Sequence, residues 1–251
     1  MASPTVVFIT GVSRGIGHQL VKSYISRPNY TVIGSARNLA SPGIEALRAV
    51  PRADGTNLVI VKIDSGSTTD AATAVGELKQ AGVNHVDVVI ANAAHNPPWV
   101  PADIAEAEDV IISFQANALG PLLLFKALKD LMQKSTKGPK WLSISSAVAS
   151  IGLLDGGGTH NLAAYGISKA ALNWFTVATH AGNKWLIAFA AHPGQVQTEP
   201  GNAAARMMGL EKAPDTPELA AERIMATLDN ASREKTSGKF FHLGRGTEIP
   251  W

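Results

Sequence analysis

Six short runs along the chain are apolar at nearly every position: TVVFIT at 5–10, YTVIGSA at 30–36, NLVIVKID at 57–64, HVDVVIAN at 85–92, KWLSISS at 140–146 and KWLIAFAAHPG at 184–194. A strand that alternates apolar and polar has one wet face, whereas an unbroken apolar run suits a strand covered on both faces. Between these runs lie stretches of helical period: 15–27, 67–82, 101–134, 161–182 and 216–231. The 67–82 stretch starts with hydroxyl and acidic residues and ends at Gly82, and Thr216-Pro217 is a helix-start pair. The 101–134 stretch is long enough for two helices, with a break predicted near Gly120-Pro121. A final strand is predicted in GKFFHL, 238–243. Strands alternating with helices, joined by right-handed crossovers, predict a single α/β Rossmann-type domain over 1–251 with a doubly wound, mostly parallel sheet. The ligand of such a sheet sits outside the carboxyl ends of its strands.

Those ends carry the unusual residues. TGVSRGIG at 10–17 places Gly11, Gly15 and Gly17 after the first strand and at the start of the first helix. A helix N-terminus offers unpaired N–H groups and partial positive charge, and glycines let backbone approach a diphosphate. Ser13, Arg14 and Ile16 complete the loop. No Asp or Glu occurs between Gly17 and Glu45, so the acidic residue that would hold an NAD ribose is missing. Arg37 ends the second strand instead, and two guanidiniums suit the 2′-phosphate of NADP(H). Asp64 and Asn92 end the third and fourth strands, as cofactor contacts or as turn-forming side chains.

Tyr165 and Lys169 are four residues apart and so neighbours on a helix. A neighbouring ammonium lowers a phenol below its usual value near 10, which would fit Tyr165 to give or take a proton near neutral pH. Ser145 and Ser146 offer a hydroxyl that can hold a carbonyl oxygen as charge develops on it. Asn117 could hold a water connecting the lysine to solvent.

With TGVSRGIG, ANAA, Asn117, ISS, YGISK and HPGQVQT in this order, the chain resembles the short-chain dehydrogenases/reductases over nearly its whole length. The resemblance implies an Asn117–Ser146–Tyr165–Lys169 catalytic set and prefers Ser146 to Ser145. It implies that Thr198 meets the nicotinamide carboxamide, with Pro193, Gly194 and Val196 lining the same loop. NKWL, PGQVQT, SGKF and the final IPW are similar to fungal ketoreductases of the norsolorinic acid type. That subgroup implies NADPH-dependent reduction of a ketone on a polycyclic aromatic polyketide, in secondary metabolism. The alternatives are an NADP(H)-holding cyclase or a cofactor-sensing binding protein on the same fold. A methyltransferase fits less well, given the Tyr–Lys pair.

Substrate contacts are expected from loops 93–101, 147–162 and 194–215, which carry Trp99, Leu153, Leu154, Met207, Met208 and Leu210. These residues predict a bulky apolar carbonyl or alcohol substrate, unless Met207, Met208 and Leu210 only pack a short helix. Eighteen residues separate Ser146 from Tyr165, an enlarged loop whose glycines suggest mobility. Composition narrows the rest. There are no cysteines, which removes disulfide and thiolate chemistry and fits a reducing, cytoplasmic setting. A net charge of +2 without a basic stripe gives no case for nucleic acid. No secretory leader is expected, and the apolar stretches look too short to span a membrane. His95, His160 and His192 lack metal-ligand spacing, so no metal is expected. A homodimer or homotetramer is expected, formed through 103–134 and 160–182.

Overall fold

The computed structural model describes residues 3–155 and 159–251. Its elements in chain order are β1 (Thr5–Thr10), α1 (Gly15–Ile25), β2 (Tyr30–Ala36), α2 (Pro42–Ala49), β3 (Asn57–Lys62), α3 (Asp70–Gln80) and β4 (Val88–Ala91). Then follow α4 (Ala107–Phe114), α5 (Gly120–Gln133), β5 (Lys140–Ile144), α6 (Ala163–Gly182) and β6 (Ile187–His192). The chain continues through α7 (Glu199–Met207), α8 (Pro217–Asn230), β7 (Phe240–His242) and β8 (Thr247–Glu248). All eight strands join one sheet in the order β3-β2-β1-β4-β5-β6-β7-β8, parallel except for the β7–β8 pair.

Side chains of a strand point alternately to its two faces, and here both faces are buried. Val6 and Phe8 of β1 enter one core with Leu78 of α3, Leu128 of α5 and Phe175 of α6. Val7 and Ile9 enter the other, with Leu20 of α1, Leu47 of α2 and Ile224 of α8. The unbroken apolar runs are therefore the spine of a three-layer molecule. On the first face Phe125, Trp141 and Phe175 pack edge-to-face, with centroids 5.4 to 6.1 Å apart. Strand order reverses between β1 and β4, which sets the crevice at their carboxyl ends.

Several elements differ from expectation. The helix α2 was not predicted. Only Ile44 and Leu47 of α2 are buried, too few to register as a period, although Pro42 opens the helix and Glu45 places an acidic residue in its first turn. The break expected near Gly120-Pro121 does not form. Instead Ala107–Gln133 runs as one helical rod of 27 residues, widened to a π turn at Gln115–Leu119 in which the Gly120 N–H bonds the Gln115 carbonyl. The wide turn accommodates Pro121, which cannot donate a hydrogen bond. Gly120 itself is required by packing, since a Cβ there would strike the Ser65 carbonyl.

As one rod this segment is long enough, and over 18 of its residues apolar enough (mean hydropathy 1.4), to cross a membrane by length and composition alone. In this fold Leu124, Leu128, Leu131 and Met132 of the rod lie in the core. Its opposite flank exposes Ile111, Phe114 and Leu122, and α6 exposes Ile167 and Trp174. Finally, 199–207, expected as loop, forms α7, capped by the Thr198 side chain on the Gly201 N–H.

Candidate active site

The glycine loop is shaped by close contacts. Gly11 leaves β1 at φ 71°, and a Cβ there would fall 2.8 Å from Ala93 Cα. Gly15 opens α1 at φ 61°, with Thr198 Cγ2 3.1 Å from where a Cβ would stand. At Gly17 a Cβ would strike the Gly11 carbonyl and Asn92 Nδ2. No side chain caps the first turn of α1. Its N–H groups thus meet an anion's requirements, and the glycines leave room for backbone to approach a diphosphate. Ser13 and Ile16 are half-buried beside this turn. These residues fit a nicotinamide dinucleotide.

Asn92 is a staple in this loop. Its Nδ2 donates to the Thr10 carbonyl at 2.9 Å, and its N–H donates to Thr10 Oγ1 at 2.9 Å. Asp64 forms an Asx turn, Oδ1 accepting from the Gly66 N–H at 2.9 Å, so one carboxylate oxygen is engaged. Arg37 stands exposed at the end of β2. Arg14 is exposed too, but its guanidinium is paired with the Glu199 carboxylate of α7. Glu199 did not figure among the expected residues. A phosphate would compete with it for Arg14.

The expected catalytic residues converge from α6, the end of β5 and the π turn. Lys169 is only 2% exposed, and its Nζ donates to the Ile144 carbonyl at 2.8 Å. The same Nζ stands 5.7 Å from the centroid of the Tyr165 ring. Ser145 turns away: its hydroxyl donates to Asn173 Oδ1 at 2.7 Å, against α6. Ser146 Oγ accepts from the Val148 N–H at a longer 3.3 Å and keeps its own proton to donate. Asn117 is fully buried, and its amide clamps the backbone after β4. Its Oδ1 accepts from the His95 N–H at 2.7 Å, and its Nδ2 donates to the His95 carbonyl and to Ser168 Oγ, each at 2.9 Å. With three hydrogen bonds tying the side chain to His95 and Ser168, the backbone carbonyl is the better candidate in Asn117 to hold water. In a regular α turn that carbonyl would bond residue 121, where proline has no N–H to give.

One electrostatic expectation is overturned. The ammonium was expected to lower the Tyr165 phenol, whereas burial pushes it up to about 12. Burial also pushes Lys169 down to about 7, and among the described residues no carboxylate pairs with it to offset this. Loss of water around each charged form outweighs their attraction.

Beyond β6 the chain turns through Pro193 and Gly194, where φ is 104° and a Cβ would strike the Asp215 carboxylate. Val196 is buried and forms an isolated parallel bridge with Asp215. Thr198 closes the loop as the α7 cap and so faces Gly15 of the glycine loop. His192, stacked edge-on against His242 at 4.6 Å, is held far below the usual histidine range by burial. It is neutral and supports this loop by packing.

Most of the expected substrate residues are exposed apolar side chains. Leu153, Leu154 and Leu210 are exposed, as are Met207 and Met208 at 61% and 63%. The two methionines therefore do not pack α7 onto the domain; Ala205 does. Trp99 is half-buried, its indole N–H directed to Asn96 Oδ1 at 3.4 Å. Of the enlarged loop, glycines 156–158, on which the expected mobility rested, lie outside the described residues.

Comparison with known proteins identifies the family. A family model for the short chain dehydrogenases matches residues 5–208. The short-chain dehydrogenase srdF of Neurospora crassa is 44% identical over 98% of this chain and 98% of its own. The norsolorinic acid ketoreductase nor1 of Dothistroma septosporum is 39% identical over 98% of this chain and 92% of its own. Among solved structures, the NADPH-bound carbonyl reductase from chicken fatty liver superposes with a TM-score of 0.85 at 24% identity, covering the whole of both chains. A glycine cradle at the sheet's crevice, a lysine buried beside a tyrosine and full-length relatives together make this chain a member of the short-chain dehydrogenase/reductase family, nicotinamide-dependent oxidoreductases of carbonyl and CH–OH groups.

Proposed function

We propose that the chain is an NADPH-dependent reductase of a ketone or aldehyde carried on a bulky, apolar molecule. One observation carries this reading: a lysine buried with no acidic partner among the described residues, held by the Ile144 carbonyl beside the Tyr165 ring. Burying an ammonium in this way costs stability, and such groups concentrate where proton chemistry is done.

A bound reduced nicotinamide supplies the hydride that reaches the carbonyl carbon. Tyr165 donates its phenolic proton to the carbonyl oxygen as that oxygen gains charge, so the alcohol forms with one hydride and one proton. Ser146 donates a second hydrogen bond to the same oxygen and holds it in place. Taken alone, a phenol near 12 is a weak acid for work at neutral pH. The protonated Lys169 beside it offsets that by stabilising the phenolate left behind. Water on the Asn117 carbonyl then returns a proton through the lysine. The exposed side chains of Leu153, Leu154, Met207 and Met208 offer apolar, adaptable surface to the rest of the substrate. Relatives named as ketoreductases support this direction.

The preference for NADPH rests on Arg37, with Arg14 as a second cation once it leaves Glu199. Steady-state rates with NADPH and NADH, read against aryl ketones and aldehydes, test both parts. The wild-type chain is expected to consume NADPH with aryl ketones. Arg37→Ala is expected to raise KM for NADPH roughly 10- to 100-fold, the worth of one or two charge-assisted hydrogen bonds, and to leave NADH nearly unchanged. No turnover with any carbonyl would remove the reductase reading. Equal losses for the two cofactors would remove the NADP assignment alone.

A further inference from the structure

Residues 249–251, the IPW of the sequence, reach back across the molecule and hold the segment that follows Ser146. The Ile249 N–H bonds the Phe240 carbonyl at 2.8 Å, which anchors these residues to β7. The Trp251 ring lies over the fully buried Phe240, centroids 5.5 Å apart and planes 19° from parallel. From that anchor two hydrogen bonds reach the loop. The Ser150 hydroxyl donates to the Pro250 carbonyl at 2.7 Å, and the Gly152 N–H donates to the Trp251 carbonyl at 2.9 Å. The fit leaves no spare room, since a Cβ on Gly152 would fall 3.1 Å from Pro250 Cβ.

The held segment starts at the proposed active site. The Ala149 N–H bonds the Ser146 carbonyl at 2.9 Å and the Ser150 N–H bonds the Ala147 carbonyl at 3.1 Å, so the turn from Ser146 to Ser150 is continuous. The Ser150 oxygen also accepts from the Leu153 N–H at 3.2 Å. Ser150 is 1% exposed, whereas Ile151, Leu153 and Leu154 next to it stand out into solvent. On its other side the turn rests against α6, where Val148 lies beside Gly166 one residue after Tyr165. The loop is thus gripped between the catalytic helix and a contact from 100 positions away.

We propose that residues 249–251 are a clasp that sets the position of 150–154, and through Leu153 and Leu154 decides how a bulky carbonyl substrate is seated. The proposal rests on the reading above that these side chains receive the substrate. Trp251 and Ser150 are positioning residues: neither touches the reacting atoms. A clasp of this kind acts on substrate seating and not on proton or hydride transfer, so its loss appears in KM before kcat.

The test uses the full chain with Trp251→Ala and Ser150→Ala, NADPH, and two probes: 1-acetonaphthone as the bulky ketone and propanal as the small aldehyde. Both variants are expected to raise KM for 1-acetonaphthone about tenfold while kcat stays within about twofold, and to change KM for propanal by less than about twofold. Trp251→Phe, which keeps a ring on Phe240, is expected to restore the wild-type KM. Equal shifts for the two probes, or none for either, would overturn the proposal. Amide hydrogen exchange at Gly152 provides an arm independent of turnover: both variants are expected to exchange there at least about tenfold faster, as protection follows local opening. Unchanged exchange would overturn the clasp. If the wild-type chain reduces neither probe, the clasp is decided by exchange alone.

Discussion

Replacing Tyr165 with phenylalanine is expected to lower kcat for ketone reduction by roughly 10² to 10⁴-fold, the range supplied by a positioned general acid. The change removes one oxygen and keeps the ring beside Lys169. The Tyr165 hydroxyl makes no hydrogen bond among the described residues, so its loss leaves no buried partner unsatisfied. Folding and NADPH affinity, followed by thermal unfolding and by cofactor fluorescence, are expected to stay close to wild type. The separation matters: a loss of rate together with a loss of fold would say nothing about the proton. Turnover near wild type in a folded Tyr165→Phe chain would assign the proton to another group.

Lys169→Met is expected to have a similarly large effect on rate and the opposite effect on stability. Methionine fills the lysine's volume without a charge to desolvate, and removing a buried unpaired cation relieves the interior. The midpoint of thermal unfolding at neutral pH is expected to rise, while kcat falls on the order of 10²-fold because the phenolate loses its counter-charge. The Ile144 carbonyl is left without its donor, which moderates the gain. The pH dependence gives an independent sign. Burial holds Lys169 at about 7 in the folded chain, below the usual lysine value of 10.5. Between these two values the unfolded chain binds more protons, so this group makes stability rise with pH. From about pH 10 Tyr165 acts the other way: held up at about 12, it stays protonated in the folded chain while the unfolded chain releases its proton. Wild type is therefore expected to gain stability from about pH 7 to 10, and Lys169→Met to lose that slope, as read by denaturant unfolding across the range. A slope equal in both chains would mean that Lys169 is not held near neutrality.

How far the site could be read from sequence depended on how far apart its partners lie along the chain. The Tyr165–Lys169 pair is local, fixed by helical spacing, and the glycines of 11–17 sit directly between a strand and a helix. Patterning alone placed each of these at the sheet's carboxyl edge, because both cores draw on the same unbroken apolar runs. Long-range partners left no such trace. Nothing near Asn117 announces that its amide is spent on the backbone of His95, 22 residues earlier. The pairing of Arg14 with Glu199 spans 185 positions, and the grip of 249–251 on Ser150 and Gly152 about 100. The phenol's shift was misjudged for a related reason: the lysine's position was visible, but the burial that dominates both groups is a property of the assembled fold. The helix α2 escaped because just two of its residues reach the core.

The most direct measurement of the account is the fate of a labelled hydride. NADPH deuterated at its hydride-donating carbon, incubated with the wild-type chain and 1-acetonaphthone, is expected to yield the alcohol with one deuterium on the carbinol carbon, and the yield over the same interval is expected to collapse in Tyr165→Phe. Alcohol without deuterium on that carbon, or equal yields from the two chains, would contradict reduction by hydride transfer with Tyr165 as the acid.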